Sequence, residues 1–202
     1  MARLGPFEPR PTLALAVSGG ADSLAMALLA KAWAIGRGGT VLALVVDHGL
    51  RPEAAMEAGD TIVRLAAKGI PARLLTLRDL AKGPGLAERA RAARYAALQT
   101  ACAEAGILHL LLGHHAGDQA ETLRMRQGAG SGPRGLAAMA ALVETSHVRL
   151  LRPLLGVPPS ALRGFLRHEG LDWVEDPSNR DPGTLRARLR AELADPDGTG
   201  TT

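Results

Sequence analysis

The fold of this 202-residue chain is decided by the stretch Leu13-Ala14-Leu15-Ala16-Val17-Ser18-Gly19-Gly20-Ala21-Asp22-Ser23. Its apolar half is typical of a buried strand, and the abrupt change to Ser-Gly-Gly predicts a turn before a helix that begins at Asp22. Two adjacent glycines let the backbone approach a ligand closely or take a positive φ. Backbone N–H groups converge at a helix N-terminus, where the helix dipole favours negative charge. The stretch therefore predicts a phosphate-binding loop, in which Asp22 could also hold Mg²⁺ through oxygen.

The loop differs from the common phosphate-binding motifs. It contains neither the Walker A string G-x-x-x-x-G-K-[ST] nor the dinucleotide string G-x-G-x-x-G. No glycine precedes Ser18 at the required spacing, so a G-x-S-x-G nucleophile elbow is also excluded. The string Ser18-Gly19-Gly20-x-Asp22-Ser23 instead resembles the loop of the N-type ATP pyrophosphatases, which cut ATP between the α- and β-phosphates. An ordinary strand–helix turn with a Ser or Asp cap remains the alternative.

Composition restricts the class of protein. Apolar residues make up 47% of the chain, enough for a full core, although aromatic residues contribute only 2%. The single cysteine, Cys102, excludes a disulfide framework, a Cys₄ zinc site and a C-x-x-C redox pair in this chain. No apolar run approaches the roughly 18 residues that a membrane span requires. We therefore expect a reduced, cytoplasmic setting and no membrane partner.

Apolar runs alternate with amphipathic stretches along the chain. The patterns predict strands at 12–17, 41–46, 72–77, 107–112 and 148–151, and helices at 22–35, 53–68, 86–105, 118–126, 160–168 and 184–193. Four glycines between Gly128 and Gly135 predict a mobile loop. The alternation predicts a doubly wound α/β fold, with a mostly parallel five-stranded sheet, helices on both faces and a short helical C-terminal extension.

Three predicted strands end in polar, glycine-containing segments. These segments are Ser18–Ser23, Asp47–Arg51 and Gly113–Asp118. Ligands of doubly wound sheets bind beyond the carboxyl ends of the strands, so the three segments are expected to form one site. Asp47 and His48 suit recognition of an adenosine, although a simple polar turn explains them equally well.

The segment after the fourth strand carries several titratable groups. Adjacent His114 and His115 argue against a zinc site because consecutive side chains point in different directions. Asp118 and Glu121, three residues apart, resemble a helix-capping pair. Asp118 also suits Mg²⁺ or a substrate ammonium group, and one of the histidines suits proton transfer.

Arginine is distributed unevenly. On the third predicted helix, Arg91 and Arg94 share a face and could contact phosphate, although a solvated face with Glu88 is an alternative. Residues 124–190 contain 11 arginines, no lysine and 6 acidic side chains, which is typical of a nucleic-acid surface. Because lysine is rare throughout the chain, a compositional bias toward arginine is the competing explanation.

Seven motifs in order resemble the tRNA(Ile)-lysidine synthetase family. Besides the Ser18–Ser23 loop, they are Val46–Arg51, Ala90–Tyr95, His114–Thr122, Arg134–Leu136, Arg152–Leu155 and Trp173–Asn179. The resemblance implies an adenine nucleotide alpha hydrolase-like fold that uses ATP and Mg²⁺. It implies adenylation of the C2 oxygen of the wobble cytidine of an isoleucine tRNA, followed by displacement of AMP by free L-lysine. A homodimer remains open as the oligomeric state.

The resemblance assigns roles to individual residues of this chain. Catalytic roles fall to Asp22, Arg91, His115 and Asp118, with Asp22 and Asp118 as Mg²⁺ ligands. Nucleotide contacts fall to Ser18, Gly19, Gly20, Ala21, Asp22, Ser23, Asp47, His48 and His114. Contacts with tRNA or lysine fall to Arg94, Glu121 and Arg134. Arg124 and Arg126 flank the loop Gly128–Gly135, and Arg186 and Arg190 are four residues apart, so they can share a helix face. We expect this loop and the pair Arg186 and Arg190 to line the tRNA entrance.

The chain departs from the family pattern at two points. Gly117 stands where the family commonly has the first of two adjacent acids, which leaves only Asp118. We expect a catalytic domain over 1–190 and a disordered tail over 191–202, without the family's further tRNA-binding domains and therefore with weak tRNA binding. The alternatives are another N-type pyrophosphatase or a degenerate nucleotide- or RNA-binding module. A tRNA thiolase is disfavoured by the lone Cys102.

Overall fold

The apolar stretch before Ser18 forms the central strand of a six-stranded sheet. A computed structural model describes residues 1–49, 53–78 and 83–175, apart from the side chain of Arg134. The strands are β1 Thr12–Val17, β2 Thr40–Asp47, β3 Ala72–Thr76, β4 His109–Leu112, β5 Leu142–Glu144 and β6 Arg149–Leu151. The helices are α1 Ala21–Ile35, α2 Ala54–Ala67, α3 Leu86–Glu104, α4 Ala116–Gly128, α5 Pro133–Leu136 and α6 Pro159–His168, after a 3₁₀ turn at Ala2–Leu4.

The strand order is β3-β2-β1-β4-β6-β5, and only β5 runs antiparallel. β1 pairs in parallel with both neighbours, so that Leu13 lies opposite Val41 on one side and His109 on the other. Because parallel neighbours share a direction, the carboxyl ends of β1, β2 and β4 lie at one edge of the sheet.

Side chains of β1 alternate between two cores, as the period of a strand requires. Leu13 and Leu15 pack with α1, α2 and α6 on one face of the sheet, whereas Ala14 packs with α3 on the other. Leu13, Ala14 and Leu15 are all fully buried. The predicted doubly wound architecture, with helices on both faces, is therefore confirmed.

The prediction of five strands is wrong because it missed β5. Leu142–Glu144 is only three residues long and is defined by its pairing with β6, so it has no periodicity of its own to detect. Thr145 stabilises the connecting turn, since its Oγ1 accepts a hydrogen bond from the N–H of Val148 at 3.1 Å. The glycine-rich loop also contains the short helix α5, which begins at Pro133.

Two sequence predictions lie outside the described residues: the helix over 184–193 and the tail over 191–202. The domain division at residue 190 likewise stays a prediction. Within the ranges described above, no helix combines the length and apolar character needed to cross a membrane.

Candidate active site

A cavity of about 670 Å³ opens at the carboxyl ends of β1, β2 and β4. Its volume lies within the roughly 300–1,000 Å³ that is typical of small-molecule sites. All three predicted polar segments contribute to its lining. The polar and charged contributors are Ser18, Asp22, Ser23, His48, Glu57, Arg91, Arg94, Tyr95, His114 and Asp118.

Gly19 holds the loop in a conformation that other residues rarely adopt. Its φ is +85°, and a Cβ at this position would lie 2.4 Å from Oγ1 of Thr61. The carbonyl of Gly19 accepts a hydrogen bond from the N–H of Val174 at 2.9 Å. The loop is therefore held from behind by α2 and by the segment that follows α6.

Ser23 closes the loop on itself. Its Oγ donates to the carbonyl of Gly20 at 2.9 Å and accepts from the N–H of Ser18 at 3.2 Å. α1 begins at Ala21 with Gly20 as N-cap, and in the part of the chain that the structure describes no side chain caps its N-terminus. The alternative of a Ser or Asp cap is therefore wrong, and the uncapped N–H groups suit an anion.

Close packing at Gly113 brings the fourth strand to the phosphate loop. A Cβ on Gly113 would lie 3.0 Å from Cα of Ser23. A side chain there would push β4 away from the first turn of α1. The absence of one lets β4 lie close to α1, and Asp22, His114 and Asp118 all line the same cavity.

His115 lies behind the cavity surface, between two carboxylates. It is 5% exposed, and its Nε2 lies 3.5 Å from Oδ2 of Asp22 and 3.7 Å from Oδ2 of Asp118. His115 is also the N-cap of α4: its Nδ1 accepts from the N–H of Asp118 at 3.3 Å, and Oδ2 of Asp118 accepts from the N–H of His115 at 2.9 Å. The prediction that Asp118 pairs with Glu121 in capping is wrong, because the capping partner is His115.

His114 lies in the cavity wall as a neutral imidazole. Burial, assisted by the nearby guanidiniums of Arg152, Arg91 and Arg94, lowers its pKa to about 4, although Asp118 opposes the shift. Its Nδ1 is buried and has no hydrogen-bond partner among the described residues. The imidazole can therefore face a ligand in the cavity without carrying charge near pH 7.

α3 supplies a cationic wall. Arg91 and Arg94 both line the cavity, in agreement with their predicted place on one face of the helix. Their guanidinium carbons lie 5.1 Å and 5.7 Å from the centre of the Tyr95 ring, within the range of cation–π attraction. Nη2 of Arg91 also donates to the hydroxyl of Tyr95 at 3.4 Å.

Of the pair after β2, only His48 lines the cavity. Its pKa is lowered by burial and by Arg94, against the influence of Asp47. Asp47 is buried, and its Oδ1 accepts from the N–H of Gly49 at 2.8 Å, which is the geometry of a polar turn. The position of His48 in the cavity wall therefore supports its predicted contact with the nucleotide, whereas the position of Asp47 does not support one.

Several other predicted residues do not line the cavity. Gly19, Ala21, His115 and Glu121 are buried in its supporting layer. The side chain of Arg134 and all of Arg186 and Arg190 lie outside the described part of the chain.

Sequence reasoning missed the apolar wall and the contribution of α2. Ala54, Glu57 and Ala58 of α2 line the cavity together with Leu44 and Leu98. These residues belong to no motif, and their approach to the site depends on how the helices pack. Tyr95 was detectable in principle, because it follows Arg91 by four residues and is the single tyrosine of the chain.

Asp22 is the best-placed cation ligand. Its Oδ1 is buried without a hydrogen-bond partner in the described structure. Among the described residues, no three or more His, Cys, Asp or Glu side chains are grouped to hold a metal ion. This donor set fits Mg²⁺, which is usually bound by one or two carboxylates together with phosphate oxygens.

Known proteins resemble this chain over most of its length. It is 47% identical over 190 residues to the tRNA(Ile)-lysidine synthase of Bradyrhizobium diazoefficiens, which covers 93% of this chain and 52% of the relative. It is 46% identical over 187 residues to the enzyme of that name from Rhodopseudomonas palustris, covering 91% of this chain and 54% of the relative. The chain thus spans about half the length of the curated relatives it matches.

Among solved structures, the U34-tRNA thiolase NcsA from Methanococcus maripaludis, with its [4Fe-4S] cluster, has a TM-score of 0.75. At 19% identity it covers 97% of this chain and 72% of its own, so the likeness concerns the fold. The family model of the PP-loop domain matches residues 3–196. This match spans the glycine-rich loop and the whole cavity, and the chain belongs to the PP-loop domain family.

Proposed function

We propose that this chain is the ATP-using part of a tRNA(Ile)-lysidine synthase. In this reaction ATP adenylates the C2 oxygen of the wobble cytidine of an isoleucine tRNA, and lysine then displaces AMP. The observation that carries the proposal is the convergence of the Ser18–Ser23 loop, His114, Asp118 and the arginines of α3 on one cavity. The 47% identity to a tRNA(Ile)-lysidine synthase over 190 residues supports the same assignment.

The cavity suits a nucleoside triphosphate. Uncapped N–H groups at the start of α1 can bind phosphate oxygens, and the helix dipole favours their charge. Leu44, Val46 and Leu98 provide an apolar surface in the same cavity, which suits a nucleobase.

The charges of the site support binding of Mg²⁺ together with the phosphates of ATP. Asp22 places a negative charge in an anion-binding loop, so a cation is needed between its carboxylate and the phosphates. Asp22 and Asp118 would hold Mg²⁺, which when bound neutralises phosphate charge as pyrophosphate departs. Arg91 and Arg94 line the same cavity and can offset further charge on a phosphate group.

The reaction has two balanced steps. The C2 oxygen of cytosine attacks the α-phosphorus of ATP, and the bond to the β-phosphate breaks to release pyrophosphate. The ε-nitrogen of lysine, as a free amine, then forms a bond to C2 while the C2–O bond breaks, so AMP leaves with the oxygen; the nitrogen keeps one hydrogen and one proton is released. Asp118 can orient the amine as an ammonium group, and neutral His114 can accept a hydrogen bond from the free amine.

The number of cysteines argues against the cluster-dependent chemistry of the structurally similar thiolase. Fe–S clusters are held by several cysteine thiolates. This chain has one cysteine, Cys102, which lies on the buried face of α3, and burial raises its pKa to about 11. One inert thiol cannot hold such a cluster, so nothing in the cavity favours thiolation.

Product analysis tests the proposal. We expect sustained release of pyrophosphate and AMP from ATP only when two substrates are both present. These are an isoleucine tRNA with a wobble cytidine and L-lysine. The variant Asp22→Ala should lose about 10²–10³ in rate, because one charge partner of the transition state is removed, while its unfolding midpoint stays near that of the parent. ADP as the main product, or equal turnover without tRNA, would contradict the proposal.

Asp118→Ala separates the two steps. If Asp118 acts mainly on lysine, ATP–pyrophosphate exchange with tRNA persists and lysine transfer falls. If it acts mainly on Mg²⁺, both fall together, as in Asp22→Ala.

A further inference from the structure

We infer that His115 is a positioning residue that fixes the carboxylates of Asp22 and Asp118 relative to each other. The inference rests on the proposed function only in assigning these carboxylates to Mg²⁺ and substrate. It concerns a side chain that the motif alone would assign to proton transfer.

Burial excludes direct contact between His115 and a ligand in the cavity. The residue is 5% exposed and does not contribute to the cavity lining, whereas Asp22 and Asp118 both do. It lies where the first turn of α1 meets the first turn of α4, so it contacts the two elements that carry the carboxylates.

The hydrogen bonds of the ring determine which nitrogen carries the proton. Nδ1 accepts from the N–H of Asp118 at 3.3 Å and therefore has no proton of its own. A neutral imidazole then carries its proton on Nε2. The acceptors nearest this nitrogen in the ion-pair contacts are Oδ2 of Asp22 at 3.5 Å and Oδ2 of Asp118 at 3.7 Å.

Two carboxylates this close to one N–H would otherwise repel each other. A donor between them offsets the repulsion and limits the rotamers that each can adopt. Groups that orient metal ligands in this way typically change metal affinity by about 10–100-fold when they are removed. We therefore expect the Nε2–H of His115 to influence how tightly the site binds Mg²⁺ with ATP.

Two substitutions separate the two functions of the ring. His115→Asn keeps an acceptor near the position of Nδ1, and Asn is a favourable N-cap, but it cannot reach both carboxylates. His115→Gln places an amide N–H near the position of Nε2 but is a poor N-cap. The pair therefore distinguishes positioning of the carboxylates from stabilisation of α4.

The test measures ATP binding to the full chain during a Mg²⁺ titration, without tRNA or lysine, and thermal unfolding without ligand. For His115→Asn we expect about 10–100-fold more Mg²⁺ at half-saturation and a nearly unchanged unfolding midpoint. For His115→Gln we expect a Mg²⁺ requirement within a few-fold of the parent and a midpoint lowered by about 2–4 °C from the lost cap.

The inference is overturned if His115→Asn reaches half-saturation at the same Mg²⁺ concentration as the parent. It is also overturned if, in both variants, the Mg²⁺ concentration at half-saturation rises only in proportion to the fall in the unfolding midpoint. Because neither readout uses tRNA or lysine, failure to form lysidine would contradict the proposed function and leave this result intact.

Discussion

Single residues determine whether the phosphate loop can form, and Gly19 is the clearest case. Its φ is +85°, and Oγ1 of Thr61 lies 2.4 Å from the position that a Cβ would take, so alanine has neither the conformation nor the space. We expect Gly19→Ala to lower the free energy of unfolding by at least about 1–3 kcal/mol, the usual cost of a residue held in a rare backbone region. Urea unfolding without ligand measures this.

Gly20→Ala is the matched control for Gly19→Ala. Gly20 has a φ of −73°, and its nearest neighbours to a Cβ are Oγ of Ser18 at 3.7 Å and the carbonyl of Val174 at 3.9 Å. This variant should lose less than about 1 kcal/mol. Equal losses in the two variants would show that the left-handed conformation and the contact with Thr61 do not determine the loop.

His114 gives the stability of the protein a pH dependence with a defined sign. Its pKa is about 4 in the folded chain against an ordinary value of 6.5, so between these values the unfolded chain binds a proton that the folded chain does not. Stability should therefore fall as the pH is lowered from about 6.5 to 4, and His114→Asn should flatten the decline. Urea unfolding across this pH range measures it.

The control for this pH dependence is His147→Asn, at an exposed position. Part of the slope should remain in His114→Asn, because burial lowers the pKa of His48 as well. Profiles of parent and His114→Asn that run parallel from pH 6.5 to 4 would argue against a neutral, buried His114.

At the scale of elements, α4 anchors the segment that follows the glycine-rich loop. Nη1 of Arg126 donates to the carbonyls of Gly135 and Ala138 at 2.7 and 2.6 Å. The amide of Gln119 makes two hydrogen bonds with the backbone of Met139, at 2.9 and 2.8 Å. The sequence predicted a mobile loop over Gly128–Gly135; side chains of α4 hold its last residue, Gly135, and the segment that follows it.

Removing Arg126 should therefore release this segment without unfolding the sheet. Hydrogen bonds from a charged donor each contribute about 1.5–3 kcal/mol, so Arg126→Ala should raise the rate of limited proteolysis within 133–140 at least about tenfold. Arg124→Ala, which alters an exposed neighbour on the same helix, is the control. Equal cleavage rates in both variants would contradict the anchoring role.

The elements that the sequence predicted well have strong local signals. β1 and β2 are continuous apolar runs buried on both sides, and their spans are confirmed to within one residue. The start of α4 was placed two residues late because its N-cap is His115, a residue type that is not among the preferred caps. β5 has no signal except its partner strand.

The candidate site was predictable where it follows strand ends and unpredictable where it depends on tertiary packing. The topology rule correctly brought together Ser18, His48 and Asp118. The hydrogen bond from Val174 to Gly19 joins two motifs that lie far apart in the sequence, and neither motif predicts that it contacts the other. The position of buried His115 beside Asp22 of α1 likewise follows from the tertiary structure, not from the motif.

At the scale of the whole molecule, the excess of arginine overstates the surface available to tRNA. Within the described residues, Arg126 binds backbone carbonyls of its own loop. Arg149 donates to the carbonyls of Leu4, Gly5 and Pro6, and buried Arg152 donates to that of Ala140. These arginines stabilise loops and the N-terminal segment, so net charge alone does not locate a tRNA surface.

The most direct test of the account is the fate of the wobble nucleotide. The chain is incubated with ATP, Mg²⁺, L-lysine and an isoleucine tRNA transcript with a wobble cytidine, and the nucleosides of the recovered tRNA are analysed by mass spectrometry. We expect the wobble cytidine to gain the mass of one lysine less one water, with one AMP and one pyrophosphate formed per modified tRNA. A wobble cytidine that stays unmodified although the tRNA is bound, or modification accompanied by ADP, would contradict it.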